Sequence, residues 1–107
     1  LTATCVRVPV MVSHAESLNI EFEKKFTLEE IREALDHAKG CKVYDERKDG
    51  GYITQVEAEG KNETFISRIR KDNSGPNSLN LWCVTDNLLR GAALNAVEIA
   101  EAYVKIK

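Results

Sequence analysis

Apolar residues recur along this chain with more than one period, and each period predicts its own kind of element. Residues 4–12 collect valines and other β-formers around Pro9, which predicts an extended strand whose ladder breaks, or sits at an edge, near the proline. From residue 17 to 23 the alternation is clean. Leu18, Ile20 and Phe22 face one way and Asn19, Glu21 and Glu23 the other, as in a half-buried strand. Thr27-Leu28-Glu29-Glu30 then forms a capping box with Phe26 placed to staple onto Ile31, so a helix is predicted from 28 to about 38. Leu28, Ile31, Ala34, Leu35 and Ala38 make its buried stripe, and Gly40 stands where a left-handed cap would stop it.

Residues 41–44 read as a short strand, and 45–51 as a charged, glycine-ended turn leading into 52–55. Alternation returns over 64–70, with Phe65 and Ile69 set against Arg68 and Arg70, before a turn cluster at 72–77. Leu79, Leu81 and Cys83 then share one face while Trp82 and Val84 take the other. A strand with so little polar on either side is predicted to be central and covered on both faces. The last element, about 87 to 105, is alanine-rich, apolar over most of its circumference and capped by Asp86 or Asn87. Such a helix needs cover on two sides and is expected to pack against something this chain does not contain. Together these elements predict an α+β fold. A mixed, largely antiparallel sheet of about five strands carries one helix on a face, followed by an apolar C-terminal helix.

Composition narrows the function. In 107 residues there is room for one small domain. Hydrophobic residues at 43% and charged residues at 30% are ordinary for a water-soluble domain, and no apolar run approaches the roughly 20 residues that cross a bilayer. The net charge of −2 is made of interspersed acids and bases, which gives no basic stripe for nucleic acid. Cys5, Cys41 and Cys83 are odd in number and widely spaced, so neither a disulfide framework nor a metal site is expected, and a reducing cytoplasm fits best. Leu1 in place of a start methionine, running straight into strand, reads as a beginning inside a longer protein.

A few residues are candidates for chemistry. Arg7, a charge on a valine-rich strand, is either at an edge, in an ordinary ion pair, or the bidentate partner of a carboxylate. His14 is a loop histidine or an acid/base, and its odd separation from Arg7 lets the two converge only if Pro9 breaks the pleat between them. Asn87 is a plain helix cap or, at a helix start, a ligand contact. Cys5, two residues from Arg7, reads first as a small buried hydrophobe, Cys83 as core, and His37 as surface late in a helix.

Read as strings, these stretches say more. Thr4-Cys5-Val6-Arg7-Val8-Pro9-Val10 followed by His14 resembles the stretch of bacterial aspartate-semialdehyde dehydrogenases that holds a substrate-binding arginine and, seven positions on, an acid/base histidine. Arg68-Ile69-Arg70-Lys71-Asp72 through Pro76-Asn77 to Leu79-Asn80-Leu81-Trp82 resembles the same family. So does Asp86-Asn87-Leu88 with Gly91-Ala92-Ala93-Leu94-Asn95-Ala96, in matching order. The resemblance implies a C-terminal part of such an enzyme, with a fold like the C-terminal domain of glyceraldehyde-3-phosphate-dehydrogenase-type enzymes. Residues 1–85 would belong to the catalytic and dimerisation domain, and 86–107 would form a helix returning to an NADP-binding domain.

The activity implied is the NADP-dependent interconversion of aspartate semialdehyde plus phosphate and aspartyl phosphate, on the route to lysine, threonine and methionine, by a homodimer or tetramer. Arg7 would clamp the substrate carboxylate, His14 would move the proton, and Asn87 would touch NADP. Two positions depart from the family pattern: Ala15 stands where a serine usually follows the histidine, with Ser13 before it, and Thr85 where a glycine is common. Neither a glycine-rich dinucleotide fingerprint nor the family's nucleophile context is present, so the nucleophilic cysteine is expected before Leu1 and the chain alone is expected to be inactive. A related acyl-phosphate reductase of the N-acetylglutamyl-phosphate type, and a non-catalytic dimerisation module on the same scaffold, are the alternatives.

Overall fold

The computed structural model describes residues 1–106. Its elements are β1 (His14–Glu21), α1 (Leu28–His37), β2 (Cys41–Val43), α2 (Gln55–Ala58), β3 (Thr64–Asp72), β4 (Ser78–Thr85) and α3 (Leu94–Ile106). The four strands form one sheet in the order β1-β4-β3-β2, antiparallel except for the parallel pair of β2 and β3. The fold is α+β with a mixed, largely antiparallel sheet, as the patterning predicts.

Strand β4 is central, between β1 and β3, and both of its faces are covered. On one, Leu79 and Leu81 join Ile66 and Ile69 beneath Leu28, Ile31 and Leu35 of α1, with Leu18, Ile20 and Phe22 completing the cluster. On the other, Val84 and Phe65 pack with Ile53 and Ala58, and Trp82, Ala15 and Tyr44 border them. Ile53 is strapped down through its backbone: its N–H donates to Ser67 Oγ at 3.3 Å, and its carbonyl accepts from Trp82 Nε1 at 3.0 Å. Helix α1 starts at the predicted capping box, where Glu30 N–H donates to Thr27 Oγ1 and Thr27 N–H donates to Glu30 Oε2. Such a cap stabilises a helix by about 1 kcal/mol. It ends before Gly40, whose φ of +81° is the left-handed conformation that favours glycine.

Several expectations need correction. Residues 4–12 form no strand, and the sheet therefore has four strands rather than about five. No strand of the described residues offers this segment a ladder partner, and β1 begins only at His14. Phe65 and Ile69 lie on opposite faces of the sheet rather than on one, because β3 carries a bulge between Ser67 and Arg70. Arg68 takes a φ of +53° there, and the Asp45 carboxylate accepts from the N–H groups of Arg68 (2.7 Å) and Ile69 (3.3 Å). The segment after residue 52, to which the patterning assigns no element, turns into α2, opened by a second capping box of Thr54 and Glu57. Finally, α3 begins at Leu94 rather than near Asn87. Leu89–Ala93 form one wide irregular turn, broken at Gly91 with φ +93°, and Asn95 Oδ1 accepts from Gly91 N–H at 2.8 Å. Lys107, the last residue of the expected 86–107 unit, lies outside the described residues.

Candidate functional site

One end of the sheet gathers two of the three candidate residues. His14, exposed, opens β1 opposite Thr85, the last residue of β4. Two residues beyond Thr85, the chain turns at Asn87, whose side-chain oxygen accepts from Ser13 N–H at 2.8 Å. A bond across 74 positions of sequence thus joins the residue before His14 to Asn87. The turn itself is held by Asp86, which is buried. Its carboxylate accepts from Gly60 N–H and Leu88 N–H, both at 2.8 Å, and its carbonyl accepts from the N–H groups of Leu89 and Arg90. The Gly60 N–H, followed by those of Leu88 and Leu89, holds the Asp86 carboxyl below the usual aspartate range, against an opposing effect of burial. Asp86 therefore stays ionised at neutral pH and fixes Asn87 relative to β4. Ser13 Oγ and Thr85 Oγ1, beside these residues, are buried without a hydrogen-bond partner.

Arg7 lies elsewhere in the local structure, exposed on the segment before β1, and its side chain forms no ion pair among the described residues. The break expected at Pro9 is present: Val10 N–H donates to Val8 carbonyl at 2.9 Å, closing a three-residue turn centred on the proline. That turn interrupts the pleat that would otherwise set Arg7 and His14 on opposite faces. A cleft of about 350 Å³ lined by Asp45, Tyr52, Arg68 and Arg70, among others, includes none of Arg7, His14 and Asn87.

The cysteines do not supply a nucleophile at this end of the sheet. Burial, with smaller contributions from Glu16 and Cys41, pushes the Cys83 thiol up to about 11, so it is protonated at neutral pH and inert. Cys41 is half-buried in β2, and Cys5 is exposed rather than buried.

Against proteins of known family, the profile described as semialdehyde dehydrogenase, dimerisation domain, matches residues 1–90. The chain belongs to that family. It is 47% identical over 105 residues to the aspartate-semialdehyde dehydrogenase of Aquifex aeolicus, covering 98% of this chain and 31% of that protein. It is also 43% identical over 107 residues to the Bacillus subtilis enzyme of the same name, covering 99% of this chain and 31% of that one. Among solved structures, aspartate semialdehyde dehydrogenase II from Vibrio cholerae complexed with ASA superposes with a TM-score of 0.87 at 39% identity, over 95% of this chain and 30% of that one. The chain spans about a third of the length of the curated relatives it matches.

Three residues of this semialdehyde dehydrogenase domain have structural parts that the sequence pattern does not show. Asp45 pins the β3 bulge, Asp86 holds the turn after β4 rather than capping α3, and Arg90 clasps the C-terminal helix. Arg90 Nη1 meets Glu98 Oε2 at 2.5 Å, and its Nη2 and Nε donate to the Asn62 carbonyl at 2.9 and 3.2 Å. Only Asp86 left a signal, as a capping residue. The other two depend on partners far away in sequence.

Proposed function

We propose that this chain is the C-terminal catalytic and dimerisation part of an NADP-dependent aspartate-semialdehyde dehydrogenase. The observation that carries this reading is the near-complete match of the chain to enzymes of that name, 47% identical over 98% of its length in one case. The joining of His14 and Asn87 at one end of the sheet supports it.

In this reading Arg7 grips the substrate carboxylate with its planar guanidinium, two parallel N–H donors to two oxygens, and so fixes the carbonyl for attack. His14, exposed at the open end of β1, takes the proton released as the aldehyde carbon is attacked and returns it in the reverse direction. The attacking cysteine, the dinucleotide fold and the phosphate site belong to the part of the relatives that this chain does not span.

NADP fits the residues present in one respect. Asn87 is a half-buried amide on a firmly held turn, suited to one polar contact with the cofactor, while the chain has no glycine-rich loop to hold the phosphates. When bound, NADP supplies the hydride acceptor. Helix α3 returns to the nucleotide-binding part of the protein, and the whole assembles as a homodimer or tetramer. Exposed Val97, Ile99, Tyr103, Val104 and Ile106 support that placement, since an apolar helix needs cover. No helix of the described residues is long and apolar enough to cross a membrane.

The test is an assay of the full-length protein with aspartate semialdehyde, phosphate and NADP. Phosphate-dependent formation of NADPH is expected. Preference for N-acetylglutamate semialdehyde would move the protein to the sister reductase, and no turnover of either aldehyde would leave a dimerisation module.

A further inference from the structure

Ser13 combines three features found together nowhere else in the described residues. It holds a left-handed backbone, φ +80°, although it is not glycine; it is 5% exposed; and its N–H reaches a side chain 74 positions away. Non-glycine residues take that conformation rarely, and β-branched ones least of all. The bond settles the orientation of Asn87. A backbone N–H can only donate, so the atom facing it must be Oδ1, and the Nδ2 group must face away. Turning the amide over would set a donor against a donor in a part-buried place.

We propose that Ser13 is a positioning residue that locks the Asn87 amide so that its Nδ2 donors are turned towards a ligand, reading an acceptor oxygen on the cofactor. The inference rests on the reading of Asn87 as a cofactor contact and adds how its selectivity is set. The same residue ties the two halves of the site together. Ser13 is bonded covalently to His14, whose register partner Thr85 lies two residues before Asn87. A backbone that leaves the left-handed region at Ser13 therefore disturbs the His14 entry into β1 and frees the Asn87 amide at once.

The experiment uses the full-length protein and reads NADP affinity by titration calorimetry, independently of turnover. Ser13→Val, which disfavours the left-handed backbone, is expected to weaken NADP binding roughly tenfold, the scale of one lost hydrogen bond. Ser13→Gly, which adopts that backbone freely, is expected to recover the wild-type affinity. Asn87→Asp keeps the acceptor for Ser13 N–H but removes the donors, so it should weaken binding by itself, and adding Ser13→Val to it should cost little more.

A second measurement stands if Ser13→Val fails to fold. In the wild-type protein the Asn87 Nδ2 proton resonances should shift on addition of NADP. Unchanged affinity in a folded Ser13→Val protein, full additivity with Asn87→Asp, or silent Asn87 amide protons each overturns the lock while leaving the function standing. Absence of NADP binding by the wild-type protein overturns the reading of the site itself.

Discussion

At the scale of single residues, the proposed chemistry rests on Arg7 and His14. If the proposed function holds, Arg7→Lys in the full-length protein should raise KM for the semialdehyde and lower kcat together, because an ammonium cannot reproduce a bidentate fork. Steady-state kinetics that match wild type would remove Arg7 from the site. His14→Ala should lower kcat by roughly 10²- to 10⁴-fold, the usual contribution of a positioned acid/base. Near-normal turnover would end that assignment. Asp45 is a different kind of residue, structural and nearly sealed, with its side chain 2% exposed. It accepts from the two N–H groups of the bulge and pairs with Arg32, with Arg47 at 3.5 Å. Removing it strands those donors, so Asp45→Ala should destabilise the protein by about 2–4 kcal/mol in urea denaturation. A change under about 0.5 kcal/mol, ordinary for a surface site, would show that the bulge does not need it.

Elements differ in how much of them the sequence shows. Thr27 to Glu30, Gly40 and the two-faced β4 carry their own local signals, and they fold where those signals point. The capping box of Thr54 and Glu57 is written in the sequence just as locally, directly after a glycine-ended turn. The bulge at Arg68 was not legible, since nothing near it marks an arginine as left-handed and its cause, Asp45, sits 23 residues earlier. The late start of α3 belongs to the same class. Leu88 to Ala93 have helical composition, but Arg90 is drawn to the Asn62 carbonyl and the turn opens at Gly91.

That clasp yields a prediction at this scale. Arg90 holds Glu98 by a hydrogen bond that keeps the Glu98 carboxyl below the usual glutamate range. Arg90→Ala should therefore release α3, seen as faster hydrogen exchange across 94–106 with β4 unchanged. Unaltered exchange in α3 would show that the helix is held by other contacts.

Acid sensitivity follows from the same group and from Asp86. Both carboxyls have folded pKa values below their ordinary ones, 4.5 for Glu98 and 3.8 for Asp86, so each stabilises the fold while ionised. That stability is fully present above those ordinary values and is lost as the pH falls through the lowered folded ones. Asp86→Asn should flatten the loss of stability below about pH 4. An acid limb as steep as wild type would contradict this.

Across the described residues, most of the exposed large apolar side chains lie towards the two ends of the chain, with Tyr52 and Val56 exposed between them. Leu1, Val6, Val8 and Met11 are exposed before β1, and the apolar side chains of α3 are exposed after the Arg90 turn. Between them, the sheet and α1 enclose a core on both faces of β4. A 13-residue helix with most of its apolar side chains exposed gains little from packing, so α3, held through Glu98, should exchange its amides faster in the isolated chain than in the full-length protein. The ends were also where the sequence was hardest to read. A valine-rich run looks like a strand whether or not a partner strand exists, and the partner is not a property of the run. His14 and Asn87, by contrast, were legible as a pair only through the ordered resemblance, and it is β1 pairing with β4 that brings them to one end of the sheet.

The most direct test of the central claim is turnover by the full-length protein, followed as NADPH formation from aspartate semialdehyde with and without phosphate. Phosphate-dependent reduction of NADP is expected, lowered roughly 10²- to 10⁴-fold by His14→Ala. Robust reduction that is indifferent to phosphate and to His14, or none at all with this aldehyde, would contradict it.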